Sequence, residues 1–226
     1  MSLLRAMRAI LSWLVTLLLP VALLFLGLRL LLTETFLQIE YRMPGFPADE
    51  YGFSLQDRLR YAPLAVEYLL NDAGSDYLGE QTFPDGSPLY NERELSHMLD
   101  VKTVIQPALA FGFATWLLVL AAGFWARWGG WWPDYVHAVR RGGWLTVGLV
   151  AAIGILAGID FWRFFTAFHG LFFEGDSWLF LYSDTLIRLF PVRFWQDTVI
   201  ILVTITAGSG LVLGLTLRPG RQPKAG

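Results

Sequence analysis

Residues Asn91–Gln106 read NERELSHMLDVKTVIQ and pass without a stop signal into a long apolar run. Asn91 is a favourable N-cap residue, and Glu94 three positions later completes a capping-box pattern, so we predict that a helix starts here. Residues three and four apart share a helix face, which puts Glu94, His97 and Asp100 on one stripe. The stretch therefore predicts a turn of ionisable residues that continues directly into a membrane-spanning helix.

The composition of the whole chain is typical of an integral membrane protein. Of the 226 residues, 55% are hydrophobic and 16% are charged, and the mean hydropathy is +0.48. The chain has no cysteine, which excludes a disulfide framework, a thiolate nucleophile and a thioester intermediate. We predict an all-α integral membrane protein with four transmembrane helices and a small extracytoplasmic, mainly helical cap.

Four apolar runs are each long enough to cross a hydrocarbon core of about 30 Å at about 1.5 Å per residue. The first run is longer than the roughly 7–15 apolar residues of a signal peptide, so we expect a retained helix. The polar segment 33–103 carries thirteen acidic and five basic residues and is too long for a simple connection. The predicted segments are a cytoplasmic start and span one at 1–32, the cap at 33–103, span two at 104–126, a cytoplasmic loop at 127–143, span three at 144–165, an extracytoplasmic loop at 166–196, span four at 197–217 and a cytoplasmic tail at 218–226.

The cap contains recognisable local signals. Ser54 and Asp57 form a capping pattern for a helix over Leu55–Leu70, and Pro63 is expected to kink or divide it. An Asp-Gly pair at 85–86 predicts a tight turn and a short hairpin. The predicted apolar face of the helix consists of Leu55, Leu59, Ala62, Val66 and Leu69.

Basic residues near the span ends set the predicted orientation. In a four-span layout they all fall on one side, which we assign to the cytoplasm. We therefore expect a multi-pass protein of the bacterial cytoplasmic membrane, with both termini in the cytoplasm and the site facing outward. The basic residues are Arg5, Arg8, Arg127, Arg140, Arg141, Arg218, Arg221 and Lys224.

The same layout separates the three histidines. His137 falls in the cytoplasmic loop, where a structural role is expected, whereas His97 and His169 abut span ends on the outer side and can meet. Histidine titrates near neutrality, so it can take a proton from an attacking group and return it to a leaving oxygen. Such proton transfer accelerates a reaction by about 10²–10⁴-fold.

Charged residues near these histidines are the expected supporting groups. A carboxylate, Asp100 or Glu94, would fix the tautomer of a histidine. An arginine, either Arg29 or Arg163, would stabilise a developing oxyanion. For Arg29, which lies in the last turn of span one, the alternative is that its side chain extends to the membrane interface.

Two outer segments resemble those of the lipoprotein intramolecular transacylases, a family of four-span bacterial membrane proteins. The first segment is NERELSHMLDVK at 91–102. The second is the loop after span three, which contains FHGLFF at 168–173 and DTLIRLFPVRFW at 184–195. The resemblance implies an acyltransferase whose two essential histidines are His97 and His169. It also implies the reaction, in which the sn-2 acyl chain of an S-diacylglyceryl cysteine moves to the α-amino group of that cysteine and leaves a lyso-form lipoprotein.

For that reaction we expect His97 to be the base that relays the amine proton to the glyceryl oxygen, with Asp100 orienting it. His169 would stabilise the tetrahedral intermediate or share the proton transfer. The expected partners are a diacylglyceryl-modified lipoprotein and membrane lipid. No nucleic acid, cofactor or metal ion is expected.

Two alternatives remain at this point. Glu94, His97, Asp100 and His169 could bind the metal ion of a membrane hydrolase, because Glu-x-x-His motifs form metal sites in helical bundles, although a second such motif is absent. A non-enzymatic protein that binds lipid or a partner through its cap would instead use both histidines only as interfacial polar residues. Sensitivity to chelators tests the first alternative, and histidine replacement tests the second.

Overall fold

The computed structural model describes residues 3–217, which fold almost entirely into α-helices. In chain order these are α1 Leu3–Leu31, α2 Glu34–Glu40, α3 Leu55–Leu70, α4 Asp76–Gly79, α5 Glu92–Trp128, α6 Trp132–Ile159, α7 Phe161–Phe172, α8 Thr185–Leu189 and α9 Val192–Thr216. Four of them, α1, α5, α6 and α9, are long and apolar enough to cross a membrane. The predicted all-α membrane fold is confirmed. The predicted tail at 218–226, with Arg218, Arg221 and Lys224, lies outside the described residues.

Extended pairing within residues 3–217 is limited to one isolated antiparallel bridge, between Thr82 and Pro88. It closes the predicted Asp-Gly turn. Gly86 has a φ of 83°, in the left-handed region that glycine adopts without steric cost. The predicted short hairpin is therefore present.

Helix α5 joins the ionisable turn and the predicted second span in one element. It has 37 residues and continues through Pro107. At about 1.5 Å per residue the helix is about 55 Å long, which exceeds the roughly 30 Å thickness of a hydrocarbon core. The continuity predicted from the sequence is confirmed, and the helix is long enough for its first turns to project beyond the hydrocarbon.

The predicted third span at 144–165 is interrupted near its end. Helix α6 stops at Ile159, and Asp160 adopts an extended conformation with φ −150° and ψ 93°. The Asp160 side chain accepts a hydrogen bond of 2.9 Å from the backbone N–H of Arg163, as an N-cap residue does. A new helix, α7, therefore begins at Phe161.

One compact unit contains Leu109–Ile155 together with the described residues up to Leu28 and from Ile201 onwards. The hydroxyl of the buried Thr16 lies 3.1 Å from the carbonyl oxygen of Ala138 and joins two membrane helices. Such bonds are useful in lipid, where helix association has little hydrophobic driving force. The apolar core of this unit consists of Val15, Leu19, Leu23, Val119, Ala138 and Val139.

The second compact unit contains Arg29–Ala108 and Leu156–Ile200, and within it α3 packs against α2, α4 and α8. Two arginines, Arg58 and Arg188, link these helices through hydrogen bonds and an ion pair. The buried Arg58 donates to the carbonyl oxygen of Arg188 at 3.0 Å, and Arg188 forms an ion pair with Asp49 at 3.1 Å. Short α8 is thereby fixed to the cap.

Helix α3 has the predicted cap, but its buried face differs in part from the prediction. Its capping box is present, because Ser54 and Asp57 each bond the other's backbone N–H. The helix continues through Pro63 and is not divided there. Of the predicted apolar face only Ala62 is buried, because tyrosine and arginine side chains bury their apolar parts here in place of leucine and valine. The residues that are buried are Arg58, Tyr61, Ala62, Ala65 and Tyr68.

Candidate functional site

The start of α5 is held by the reciprocal cap that the sequence predicts. The side-chain oxygen of Asn91 accepts a 3.0 Å hydrogen bond from the backbone N–H of Glu94. In return, the Glu94 carboxylate accepts a 2.9 Å bond from the backbone N–H of Asn91. This arrangement fixes the first turn of α5, one turn before His97.

Glu94 also caps a second helix. Its side chain is 1% exposed, and its other carboxylate oxygen accepts a 2.7 Å bond from the backbone N–H of Leu186 in the first turn of α8. The N-cap residue of α8, Asp184, makes no side-chain capping bond of its own. Glu94 therefore supplies that cap and joins α5 to α8, a structural role that the stripe pattern did not predict.

His169 lies on α7 and is oriented by the backbone of its own helix. Its Nδ1 atom is 2.8 Å from the carbonyl oxygen of Phe165. A carbonyl oxygen can only accept, so Nδ1 carries the proton and Nε2 keeps its lone pair. Burial lowers the pKa of His169 below its usual value of 6.5, since the protonated form loses solvation. The ring is therefore a neutral base at pH 7.

His97 and His169 are brought together in the folded chain. Their ring centroids are 6.5 Å apart and their planes differ by 19°. The prediction that these two histidines meet is confirmed, and His137 is an exposed residue of α6. Two imidazoles at this separation can contact one small reacting group from two directions.

Aromatic rings surround the pair. The ring centroid of His97 is 5.1 Å from that of Phe173 and 5.2 Å from that of Phe180. The ring of His169 is 4.7 Å from that of Trp178. Phe173 belongs to the FHGLFF run that was singled out in the sequence, whereas Trp178 and Phe180 were not predicted. They create an apolar environment that disfavours a charged imidazole.

Within residues 3–217 no hydrogen bond joins His97 to the expected orienting carboxylate, Asp100. The Nδ1 atom of His97 is buried and has no hydrogen-bond partner among residues 3–217, so Asp100 does not hold it. The backbone oxygen of Asp100 bonds Thr103, as expected within one helical turn. His97 therefore has an unused hydrogen-bonding nitrogen.

Neither predicted arginine is placed on the histidines by a hydrogen bond or an ion pair within the described residues. The exposed guanidinium of Arg29 donates to the carbonyl oxygen of Leu32 at 3.0 Å. Arg163 is exposed, and its backbone N–H takes part in the cap of α7. Arg93, on the first turn of α5, forms a 3.3 Å ion pair with Asp176 in the loop after α7.

The ligands named for the metal-hydrolase alternative do not cluster within the described part of the chain. Within residues 3–217, no group of three or more histidine, aspartate and glutamate side chains could hold a metal ion. Both carboxylate oxygens of Glu94 already accept backbone N–H groups. The ligand set of the metal-hydrolase alternative is therefore not formed.

Residues 13–195 match the family of the lipoprotein intramolecular transacylase Lit. The chain belongs to the Lit family. It is accordingly an acyltransferase, a lipoprotein intramolecular transacylase, and an integral membrane protein. This membership removes the non-enzymatic alternative.

Individual relatives cover nearly the whole chain. A protein of Aquifex aeolicus (strain VF5), described as an uncharacterized protein, is 27% identical over 210 residues, or 93% of this chain and 94% of that one. Among solved structures, the membrane integral Lit of Bacillus cereus is similar, with a TM-score of 0.77 at 17% identity over 92% of this chain and 93% of that chain. A structure of that protein with one histidine replaced by alanine matches with a TM-score of 0.61 at 16% identity, over 92% of this chain and 90% of that chain. At these identities the likeness supports the fold.

Proposed function

We propose that this Lit-family chain moves the sn-2 acyl chain of an S-diacylglyceryl cysteine to the α-amino group of the same cysteine. The two histidines act as acid and base at the outer membrane interface. The observation that carries the proposal is the paired imidazoles, one of which has its tautomer set by a backbone carbonyl. The amine and the ester belong to one molecule, so orienting them is a large part of the catalytic work.

His169 is the base in this proposal. An α-amine has a pKa of about 7.7–8.0, so a fraction of it is neutral at pH 7 and can attack the ester carbon. The nitrogen–carbon bond forms as Nε2 of His169 takes the amine proton. When the tetrahedral intermediate collapses, the ester carbon–oxygen bond breaks and the imidazolium returns that proton to the glyceryl oxygen. Protons and electrons balance without a further reactant.

His97 is the group that stabilises the intermediate. Its Nδ1 atom is buried and makes no hydrogen bond to another described residue, so Nε2 is the ring nitrogen left for the substrate, and an N–H there would donate to the carbonyl oxygen as negative charge develops on it. This reverses the roles expected from the sequence. The sequence does not decide which histidine takes which role, and the one whose tautomer a backbone carbonyl fixes is His169.

The orientation remains part of the proposal. Arg5, Arg8 and Arg127 lie near the ends of α1 and α5 that the layout puts in the cytoplasm. The segment 33–103 and the loop after α7 then face outward, where diacylglyceryl lipoproteins are displayed. The partners are such a lipoprotein and the surrounding lipid.

The test is mass spectrometry of the N-terminal lipopeptide of one abundant lipoprotein from cells that carry different forms of this protein. Wild type and the control His137→Ala are expected to give a lyso-form peptide with one chain on nitrogen and unchanged total acyl mass. His97→Ala and His169→Ala are expected to leave the diacylglyceryl form. Identical diacylglyceryl peptides in all samples, with each protein present in the membrane, would overturn the proposal.

A further inference from the structure

Helix α7 has two chemically distinct faces. At about 100° per residue, Phe161, Phe164, Phe168, Leu171 and Phe172 project from one face. Arg163, Thr166 and Gly170 lie on the opposite face. The helix has twelve residues, and the apolar face is almost entirely aromatic.

The apolar face of α7 is largely uncovered by the described protein. None of the helix's residues is buried. Phe168 is 47% exposed, Phe172 48% and Leu171 78%. An exposed cluster of large apolar side chains of this kind marks a surface that another phase or molecule covers.

This surface continues from a membrane span. The last turn of α6 exposes Ile159 to 77%, and α6 is one of the four helices long and apolar enough to cross a membrane. Only Asp160 separates that turn from α7. Lipid that covers Ile159 is therefore adjacent to the first turn of α7, and the cation Arg163 on the other face is suited to headgroup phosphates.

We infer that α7 lies in the membrane interface, with Phe168, Leu171 and Phe172 in the hydrocarbon and Arg163, Thr166 and Gly170 toward the headgroups. Lipid is the partner of this helix. A helix with an aromatic apolar face and a polar face holding a cation has the pattern of an interfacial helix.

The placement has a consequence for catalysis, which rests on the proposed function. On the helical projection His169 falls between the two faces, next to Phe165. It is then held at the boundary between hydrocarbon and headgroups, which is the depth of a glyceryl ester. A diacylglyceryl lipoprotein can present its sn-2 ester to Nε2 without withdrawing its acyl chains from the leaflet.

The absence of native cysteine allows a direct measurement of depth. Single cysteines replace Arg163, Thr166, Phe168, Gly170, Leu171 or Phe172 in the full chain, carry a nitroxide label, and are reconstituted in phosphatidylethanolamine–phosphatidylglycerol vesicles. Collision rates with oxygen report hydrocarbon, and those with a water-soluble nickel chelate report the aqueous side. Ile159→Cys is the hydrocarbon control, and Ser87→Cys on the exposed hairpin is the aqueous control.

Oxygen collisions are expected to dominate at 168, 171 and 172, and nickel collisions at 163, 166 and 170. Nickel access on both faces, as at Ser87→Cys, would show α7 in water and overturn the inference. Protection of the apolar face from both reagents would also overturn it, because a second copy of the chain or another protein would then cover that face.

Activity separates this inference from the proposed reaction. Leu171→Glu is expected to slow lyso-lipopeptide formation several-fold, and Thr166→Glu on the polar face is not. If the depth pattern holds but wild type forms no lyso-lipopeptide, the reaction proposal fails and the placement of α7 stands. If wild type is active and the depth pattern is absent, the placement fails alone.

Discussion

The Nδ1 atom of His169 lies 2.8 Å from the carbonyl oxygen of Phe165, one helical turn earlier on the same helix. Histidine bases are often oriented by a carboxylate, which also favours the protonated ring. A neutral carbonyl oxygen also fixes the tautomer, but it favours the protonated ring less than a carboxylate does. The surrounding aromatic rings meanwhile keep the imidazole neutral. The site thus holds a histidine that is ready to accept a proton at Nε2.

This geometry predicts the state of the ring. In protein labelled with ¹⁵N-histidine, the His169 signal, assigned by its loss in His169→Gln, should show a protonated Nδ1 and an unprotonated Nε2 at pH 7. Because burial lowers its pKa, the ring should protonate only below pH 6.5. An Nε2-protonated tautomer, or titration at or above pH 6.5, would contradict this assignment.

Glu94 is predicted to stabilise the fold by capping α5 and α8 at once. In Glu94→Gln an NH₂ group takes the place of one oxygen that accepts from Asn91 or Leu186, and one buried N–H loses its acceptor. The expected cost is about 1–3 kcal/mol of stability. The control is Glu92→Gln, an exposed change in the same helical turn. Thermal unfolding in detergent measures both, and equal Tm values for the two variants would refute the shared cap.

The sequence predicted the features that depend on local chemistry. Apolar length identified the four membrane helices, and the Asn91–Glu94 spacing identified the start of α5. The meeting of His97 and His169 followed from topology, because both histidines come at span ends on one side. Such signals are contained within a few residues or within the order of the spans.

The features that were missed depend on long-range packing. Nothing in the local sequence indicates that Glu94 reaches Leu186, since the two residues are far apart in the chain. The stripe pattern placed Asp100 near His97 but could not show that a hydrogen bond is absent. The break at Asp160 was hidden by apolar residues on both sides, although aspartate before a helix is a recognisable cap.

Because of Glu40, we predict that the stability of the fold decreases as the pH rises toward 7. It is fully buried, no N–H or O–H of another described residue donates to its carboxylate, and in the protonated form it can donate to the side chain of Asp197. Burial and the negative charge of Asp197 raise the pKa of Glu40 from 4.5 to about 7. The folded state therefore keeps a proton that the unfolded state releases above pH 4.5. Its contribution to stability is present below that pH and is lost as the pH rises toward 7.

Glu40→Gln keeps a hydrogen-bond donor and cannot ionise. Its Tm should lose this pH dependence, and at pH 8 it should be more stable than wild type by about 1–3 kcal/mol. Glu34→Gln, an exposed change on the same helix, serves as the control and should follow wild type. A Glu40→Gln variant that is less stable than wild type at pH 8 would contradict the proposed buried proton.

The most direct test of the proposed reaction is a crossover experiment with purified protein in vesicles. Two diacylglyceryl lipopeptides are mixed, one with an isotopically heavy sn-2 chain on a heavy peptide and the other light in both parts. The account predicts that every lyso product carries on its nitrogen the sn-2 chain of the same molecule, so that heavy peptides carry heavy chains and light peptides carry light chains. The His97→Ala and His169→Ala variants are expected to form no lyso product. Heavy chains on light peptides, or release of the sn-2 chain as free fatty acid, would contradict it.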